Sequence, residues 1–264
     1  MPHRKLPRQS GYAQPVSLLD QPYALPLLFA SGVVAGALNV VAGGGSFLTL
    51  PVLIFLGLPA GIANATNRVG VIVQNLAAVW SFDRDGVLDR QALLWGALPA
   101  TFGSALGTWL ALSVSDKGFE KILAGAMIAI SLLSFWTPPK YLADADERRK
   151  QLFLAVSFFF IGIYGGFLQA GVGFLLLAAT SLTAIDLVRG NAIKVLSAFC
   201  FTALSLLIFA IQGKINWPMG LALGAGNLLG GLYGARLAVA KGHAWLKVVV
   251  TTTVLLFAAK LLLT

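Results

Sequence analysis

The chain has 264 residues, of which 58% are hydrophobic and only 11% carry a charge. A soluble domain carries about 25% charged residues, so this composition excludes a soluble globular protein and predicts an integral membrane protein. The net charge of +9 does not indicate nucleic-acid binding. The basic residues lie at the ends of apolar runs and in the N-terminal segment, where positive charge orients a membrane protein.

The segment 1–22 is basic, contains prolines and precedes the first apolar run. We predict that it is a short cytoplasmic tail. A cleaved signal peptide is the alternative, but the apolar run that begins at Tyr23 is longer than the apolar region of a signal peptide.

Eight apolar runs have about the 20 residues that a helix needs to cross a bilayer. They cover residues 23–42, 64–82, 91–112, 119–137, 152–170, 191–211, 217–239 and 244–263. Two shorter runs, 46–57 and 174–184, reach only part-way across at 1.5 Å per residue. The charged linker 138–150 separates a first membrane unit, 23–137, from a second, 151–264.

The two units share a pattern of glycines and asparagines. Four pairs lie 127 positions apart, namely Asn64 with Asn191, Gly86 with Gly213, Gly103 with Gly230, and Gly107 with Gly234. Upstream, the pairs are Gly32 with Gly162, Gly36 with Gly166, Gly43 with Gly171, and Gly45 with Gly173. A duplicated apolar half, with the substrate site between the copies, is typical of secondary transporters.

Positive charge predicts the orientation but leaves the number of crossings open. If each unit crosses four times, Arg84, the linker and Lys214 share the cytoplasmic side, and Arg189 lies opposite. If the short runs also cross, each unit has five segments and the repeats are inverted, as alternating access more often requires. We predict an all-α integral membrane protein with about eight spans, four in each repeat. Ten membrane segments in two inverted repeats of five are the alternative.

Three consecutive glycines, Gly43, Gly44 and Gly45, predict a broken helix. Each glycine weakens a helix by about 1 kcal/mol relative to alanine, and Gly171 and Gly173 recur before the second short run. Backbone that leaves a helix inside a bilayer must be surrounded by protein or by a water-filled cavity. The N–H groups at the start of the following half-helix would suit an anion. The other repeated glycines are typical of close helix packing.

In each repeat a predicted helix begins near an asparagine, and a basic residue follows three or four positions later. Arg68 follows Asn64, and Lys194 follows Asn191 at the position that corresponds to Asn67. A basic side chain costs roughly 2.5–3.5 kcal/mol at the centre of a span and is then usually functional. The alternative is that both cations extend to lipid phosphates near the interface. We predict that they face one central site.

Asn39 and Gln169 correspond in the two repeats and stand just before the glycine breaks, which favours them over other buried amides. The predicted substrate-binding residues are Asn39, Gly43, Gly44, Gly45, Asn64, Thr66, Asn67, Arg68, Gln169, Gly171, Gly173, Asn191 and Lys194.

The sequence lacks the residues that an enzyme active site or a metal site would need. His3 and His243 are the only histidines and Cys200 is the only cysteine, so there is no cluster of metal ligands. The sequence contains neither a phosphate-binding Walker loop nor a nucleophile with a base. We predict no enzyme activity, no metal and no cofactor.

The order of these motifs resembles the TauE/SafE sulfite exporter family. The residues that carry the resemblance are Gly36, Gly43–Gly45, Pro51, Gly57–Pro59 and Ala63–Asn67, followed by Gly162, Gly166, Gly171, Gly173 and Gly190–Ala192. It covers about residues 24–263. The family commonly has Ala-Thr-Ser where this chain has Ala65-Thr66-Asn67, and the second copy lacks both the Thr-Ser pair and an equivalent of Pro51.

The resemblance implies a transporter, often an exporter, of small sulfur-containing anions such as sulfite, sulfoacetate or other organosulfonates. It implies alternating access between the repeats and a location in the bacterial inner membrane. The expected partners are a small anionic substrate and the lipid bilayer, without nucleic acid, and a homodimer is left open. The alternative is a non-transporting accessory or assembly protein in sulfur or metal-centre metabolism, which would not need Arg68 and Lys194 to converge.

Overall fold

A computed structural model describes residues 22–88, 91–133 and 139–241, and every regular element in these ranges is a helix. The first half contains α1 (Ala24–Ala42), α2 (Ser46–Phe55), α3 (Ala60–Arg84), α4 (Leu98–Ser113) and α5 (Asp116–Leu133), and a π-helical turn, Leu93–Ala97, leads into α4. The second half contains α6 (Glu147–Phe167), α7 (Val172–Leu182), α8 (Leu187–Ile211) and α9 (Trp217–Lys241). The candidate span 244–263 and the tail up to residue 21 lie outside the described residues.

Two helices in the described ranges, α6 and α8, combine the length and the hydropathy expected of a membrane span. The other long helices have a local reason to be more polar. In α3 the buried surface includes Asn64, Arg68 and Gln74, and α5 begins with charged residues from Asp116 to Lys121. These polar groups lower mean hydropathy without preventing burial, because most of those in α3 have partners inside the protein.

Both glycine clusters interrupt a helix, as predicted. In the first half α1 ends at Ala42, Gly43 adopts a left-handed φ of 78°, and α2 begins at Ser46. In the second half α6 ends at Phe167, and Gly171 adopts a φ of 73° before α7 begins. The two breaks touch, since a Cβ built on Gly43 would lie 2.7 Å from the Cα of Gly173.

The short helices return the chain to the side from which it came. Gly45, just before α2, lies against the carbonyl oxygen of Ala35 in α1, so α2 starts beside the last turns of α1 and leads the chain to the end of the molecule where α3 begins at Ala60. We call this end of the molecule the first face. The chain after α3, 86–88, lines a surface groove together with the start of α8, 186–189, at the opposite end, which we call the second face. Therefore α3 and α8 run antiparallel.

The structure groups the charges differently from the arrangement that four crossings per half require. Arg189 lies on the second face, with the end of α3 and the start of α6. Lys214 lies toward the first face, where the backbone N–H of Asn216 donates to the hydroxyl of Thr66 at 3.0 Å. The physical reason is that α2 and α7 are too short to cross but long enough to reverse the chain.

Glycines allow the closest helix contacts in the fold. Gly103 and Gly107 of α4 lie against the carbonyl oxygens of Phe159 and Ile163 in α6, so that a Cβ at either glycine would overlap backbone. Contacts of the same kind join α1 to α9 through Gly32, Gly36, Gly226 and Gly230. These contacts confirm the packing interpretation of Gly32, Gly36, Gly103 and Gly107.

The same contacts correct the alignment of α4 with α9. Gly226 lies against the carbonyl oxygen of Phe29, whereas Gly103 lies against that of Phe159, which occupies the corresponding position of α6. The packing counterpart of Gly103 is therefore Gly226 rather than Gly230, one helical turn away. The loop and the π-helical turn before α4 account for the shift, because the loop before α9 is shorter.

Candidate functional site

A cavity of about 90 Å³ lies between the two halves at the place where the helix breaks meet. Asn39 and Gly43 line it from α1, and Gln169 and Gly173 line it from the second break. One face of α3 and the first turns of α8 form the remaining walls. Both halves of the chain therefore contribute to a single cavity.

Among the residues that the structure describes, Lys194 is the only charged one that lines this cavity. The side chain comes from the second turn of α8, and only 5% of the residue is exposed. Within the described part of the chain, its ammonium forms neither a hydrogen bond nor an ion pair. Because no described side chain pairs with this ammonium, the cavity carries an uncompensated positive charge, whose burial costs several kcal/mol.

Two half-helices direct their N-termini toward the same space. Val172 and Gly173 are the first two residues of α7, Ser46 is the first residue of α2, and all three line the cavity. The first N–H groups of a helix have no acceptor within the helix and carry the positive end of its dipole. Together with Lys194, these groups form a site suited to an anion.

Amide side chains complete the polar wall. The Nδ2 of Asn39 donates to the Oε1 of Gln74 at 3.1 Å, and the Nε2 of Gln74 donates to the carbonyl oxygen of Gly36 at 3.1 Å. The Nδ2 of Asn75 is buried and has no hydrogen-bond partner among the described residues. No carboxylate is among the described residues that line the cavity. The available donors therefore suit an anion and none of the walls repels one.

Arg68 lies behind the cavity rather than in it. The fully buried guanidinium donates from Nη1 to the Oε1 of Gln169 at 2.7 Å and from Nη2 to the carbonyl oxygen of Gly166 at 2.6 Å. It also stacks over the ring of Phe209, 5.1 Å from the centroid. Gly166 belongs to the last turn of α6, where the helix dipole is negative. Of the two predicted cations, Lys194 lines the cavity and Arg68 does not.

The polar residues at the start of α3 also contact protein rather than the cavity. Asn67 accepts a hydrogen bond from Thr49 at 2.6 Å and donates to the hydroxyl of Ser46 at 3.0 Å. Asn64 donates to the carbonyl oxygen of Phe167 at 2.8 Å. With Thr66, which accepts from the loop before α9, these side chains join α3 to its neighbours. Their repeat counterpart Asn191 does line the cavity.

The predicted glycines also divide into two groups. Gly43 and Gly173 line the cavity, whereas Gly44, Gly45 and Gly171 do not. A Cβ on Gly44 would meet the ring of Phe174, one on Gly45 the carbonyl oxygen of Ala35, and one on Gly171 the ring of Phe47.

Five lining residues of α3 were missing from the predicted site. Val71, Gln74, Ala78 and Phe82 follow one another at helical spacing and line the cavity together with Asn75. Spacings of three and four residues place side chains on one face of a helix. The sequence feature that could have predicted this side of α3 is therefore the series of small and amide residues after Arg68.

Comparison with known proteins gives a consistent result. The family described as sulfite exporter TauE/SafE matches residues 28–261. A probable membrane transporter protein of Haemophilus influenzae is 30% identical over 90% of this chain and 94% of its own length. The probable membrane transporter protein YfcA of Escherichia coli K12 is 30% identical over 91% of this chain and 90% of its own length.

A third relative, the probable membrane transporter protein ORF9 of a Sinorhizobium species, is 28% identical over 91% of this chain and 93% of its own length. No solved structure matches the chain. Because the family match covers nearly all of the described helices, the chain belongs to the TauE/SafE sulfite exporter family.

Proposed function

We propose that this protein is a secondary transporter of small sulfur-containing anions, such as sulfite, sulfoacetate or other organosulfonates. The family and the relatives are membrane transporters rather than enzymes, which gives the class. That the substrate is negatively charged is a further step beyond this class. It rests on one observation, the unpaired ammonium of Lys194 in a cavity between the halves.

The surroundings of Lys194 support an oxyanion in particular. Sulfite and sulfonate groups carry several oxygens that each accept hydrogen bonds, and the cavity presents several donors. The N–H groups that begin α7 and the free Nδ2 of Asn75 are available in addition to the ammonium. A charge-assisted hydrogen bond contributes about 1.5–3 kcal/mol, so these donors can replace much of an anion's hydration.

Transport would proceed by alternating access between two inverted repeats. The antiparallel course of α3 and α8, and the hairpins α1–α2 and α6–α7, support five membrane segments in each half. The cavity lies nearer the second face, because its α3 residues, from Val71 to Phe82, occupy the second half of that helix. Toward the first face it is closed by a hydrophobic cluster that includes Leu53, Phe119 and Met219.

Charge indicates which face is cytoplasmic. The second face carries Arg84, Arg189 and the basic residues of the linker, 140–150, whereas Lys117, Lys121 and Lys214 lie toward the first face. The positive-inside rule then makes the second face cytoplasmic in the bacterial inner membrane. This orientation starts α1 on the opposite side, in contrast to the cytoplasmic tail that charge alone predicts.

The test is flux in proteoliposomes that contain only the purified protein. We expect saturable transport of sulfite or of short organosulfonates and weaker transport of carboxylates, while cations of the same size are not transported. Liposomes without protein provide the background. An absence of flux for every anion in the panel would favour the accessory function instead.

A further inference from the structure

A ridge on α3 separates the anion cavity from a second space. Gln74, Ala78 and Phe82 are four residues apart, so they form one row along the helix. All three line the cavity on one side and an apolar recess between α3 and α9 on the other. Alanine is the smallest of the three, so the ridge is lowest at its centre.

The recess has the size and the chemistry for a short hydrocarbon. Its volume is about 240 Å³, and beyond the ridge it is lined by Ala77 and Ser81 of α3 and by Leu228, Gly231 and Leu232 of α9. An apolar cavity of about 150 Å³ is large enough to bind benzene. Among the described residues that line the recess, none is charged and Gln74 is the only amide.

We propose that the recess holds the apolar tail of the transported anion, whose charged group lies at Lys194. The preferred substrate is then a small amphipathic anion, an alkane- or arylsulfonate, rather than inorganic sulfite. This inference rests on the proposed function and adds a second subsite to it. The tail passes over Ala78, where the ridge leaves room, while the donors of the cavity hold the sulfonate.

The dependence of affinity on the alkyl length of the sulfonate tests whether the recess holds the tail. Binding of methane-, ethane-, propane- and butanesulfonate is measured by calorimetry on the protein in lipid nanodiscs. For the wild-type chain we expect affinity to rise about fourfold for each added methylene, the equivalent of ~0.8 kcal/mol per buried CH₂. An affinity that is independent of chain length overturns the proposal before any variant is made.

Two matched variants locate the tail. Ala77 lines the recess but not the cavity, so Ala77→Phe fills the recess and should bring the ratio of butanesulfonate to methanesulfonate affinity close to one. Ala225 is an exposed residue of α9 outside the recess, and Ala225→Phe should keep the wild-type ratio. Binding of methanesulfonate by Ala77→Phe shows that the variant is folded.

The outcomes separate the two proposals. If Ala77→Phe keeps the wild-type ratio, the tail lies elsewhere, and a lipid chain becomes the better occupant of the recess. In that case the anion transporter stands and the tail subsite falls. If methanesulfonate and its homologues neither bind nor are transported, the proposed function falls as well.

Discussion

Arg68 and Lys194 are two buried cations near the starts of corresponding helices, but their surroundings differ. Arg68 is held by Gln169, by the carbonyl oxygen of Gly166 and by the ring of Phe209. Lys194 has no hydrogen-bond or ion-pair partner within the described residues and lines the cavity. The two terminal nitrogens of Arg68 are engaged by protein acceptors, although its buried Nε has no partner among the described residues. The ammonium of Lys194, by contrast, is available to a ligand in the cavity.

In the predicted correspondence of the two halves, the same position is polar in both but has protein partners in only one. Lys194 occupies the position of Asn67, which the hydroxyls of Ser46 and Thr49 in α2 engage at 3.0 and 2.6 Å. The corresponding positions of α7 are apolar, Phe174 and Leu177. If the halves arose by duplication, as the repeated motifs predict, one copy kept the contact between the short helix and its neighbour, while the other lost it and left a cation at the cavity.

The strongest test of this contrast is Lys194→Met. We expect anion affinity to fall about 100-fold or more, because a charge-assisted hydrogen bond worth up to about 3 kcal/mol is lost and each 1.4 kcal/mol is a factor of ten. Thermal stability should stay unchanged or rise, since an apolar side chain of similar length removes an unpaired buried charge. Binding and unfolding are measured on the same purified sample. Wild-type affinity in Lys194→Met would remove this residue from the site.

The unpaired charge also predicts how the transporter cycles. An empty carrier must pass through the occluded state with a bare ammonium, at a cost of several kcal/mol, whereas an anion-loaded carrier is neutral at this position. We therefore expect exchange of labelled anion into preloaded liposomes to be at least about tenfold faster than uptake into empty ones.

The membrane potential is clamped at zero in both cases, so that charge movement does not limit net uptake. Equal rates of exchange and net uptake would mean that the empty site loses its charge or gains a counter-ion during the cycle. Either result would contradict the view of Lys194 as a charge that only the substrate neutralises.

Local sequence patterns predicted the helices and their breaks because the causes are local. Long apolar runs formed α1, α3, α6 and α8, and the left-handed φ of Gly43 and Gly171 ended helices where the glycines indicated. Lys194 was also predicted, since a cation in an apolar run is unusual. These features depend on the chain's own periodicity and on the conformational freedom of glycine.

Local sequence does not determine which polar residues line the cavity and which are packed in the interior. Asn64 and Asn191 are the same residue at the same repeat position, yet one bonds the end of α6 and the other lines the cavity. Gly43 and Gly44 are neighbours, and only the first reaches the cavity. In each case the deciding factor is which helix of the other half lies opposite. The sequence left the number of crossings open for a related reason, because the direction in which a ten-residue helix such as α2 leads the chain depends on the helices around it.

The smallest effect that we expect to measure belongs to Arg68→Met, and it completes the comparison. The substitution leaves the carbonyl oxygen of Gly166 and the Oε1 of Gln169 without their strongest donor, and an unsatisfied buried acceptor costs about 1–3 kcal/mol. Thr108 and Thr202 also contact these two oxygens, at 3.2 and 3.5 Å, and will recover part of the loss. We expect a net loss of about 2 kcal/mol, measured as a fall in unfolding temperature of about 4–8 °C for a protein of this size.

Affinity for a short sulfonate should change less than tenfold in Arg68→Met, because the guanidinium acts on the cavity only through the orientation of Gln169. Lys194→Met, which should lose affinity and keep stability, is the matched control. If Arg68→Met instead loses affinity as strongly as Lys194→Met while it melts like the wild type, Arg68 is a ligand in another state of the cycle, and the two cations do the same work at different times.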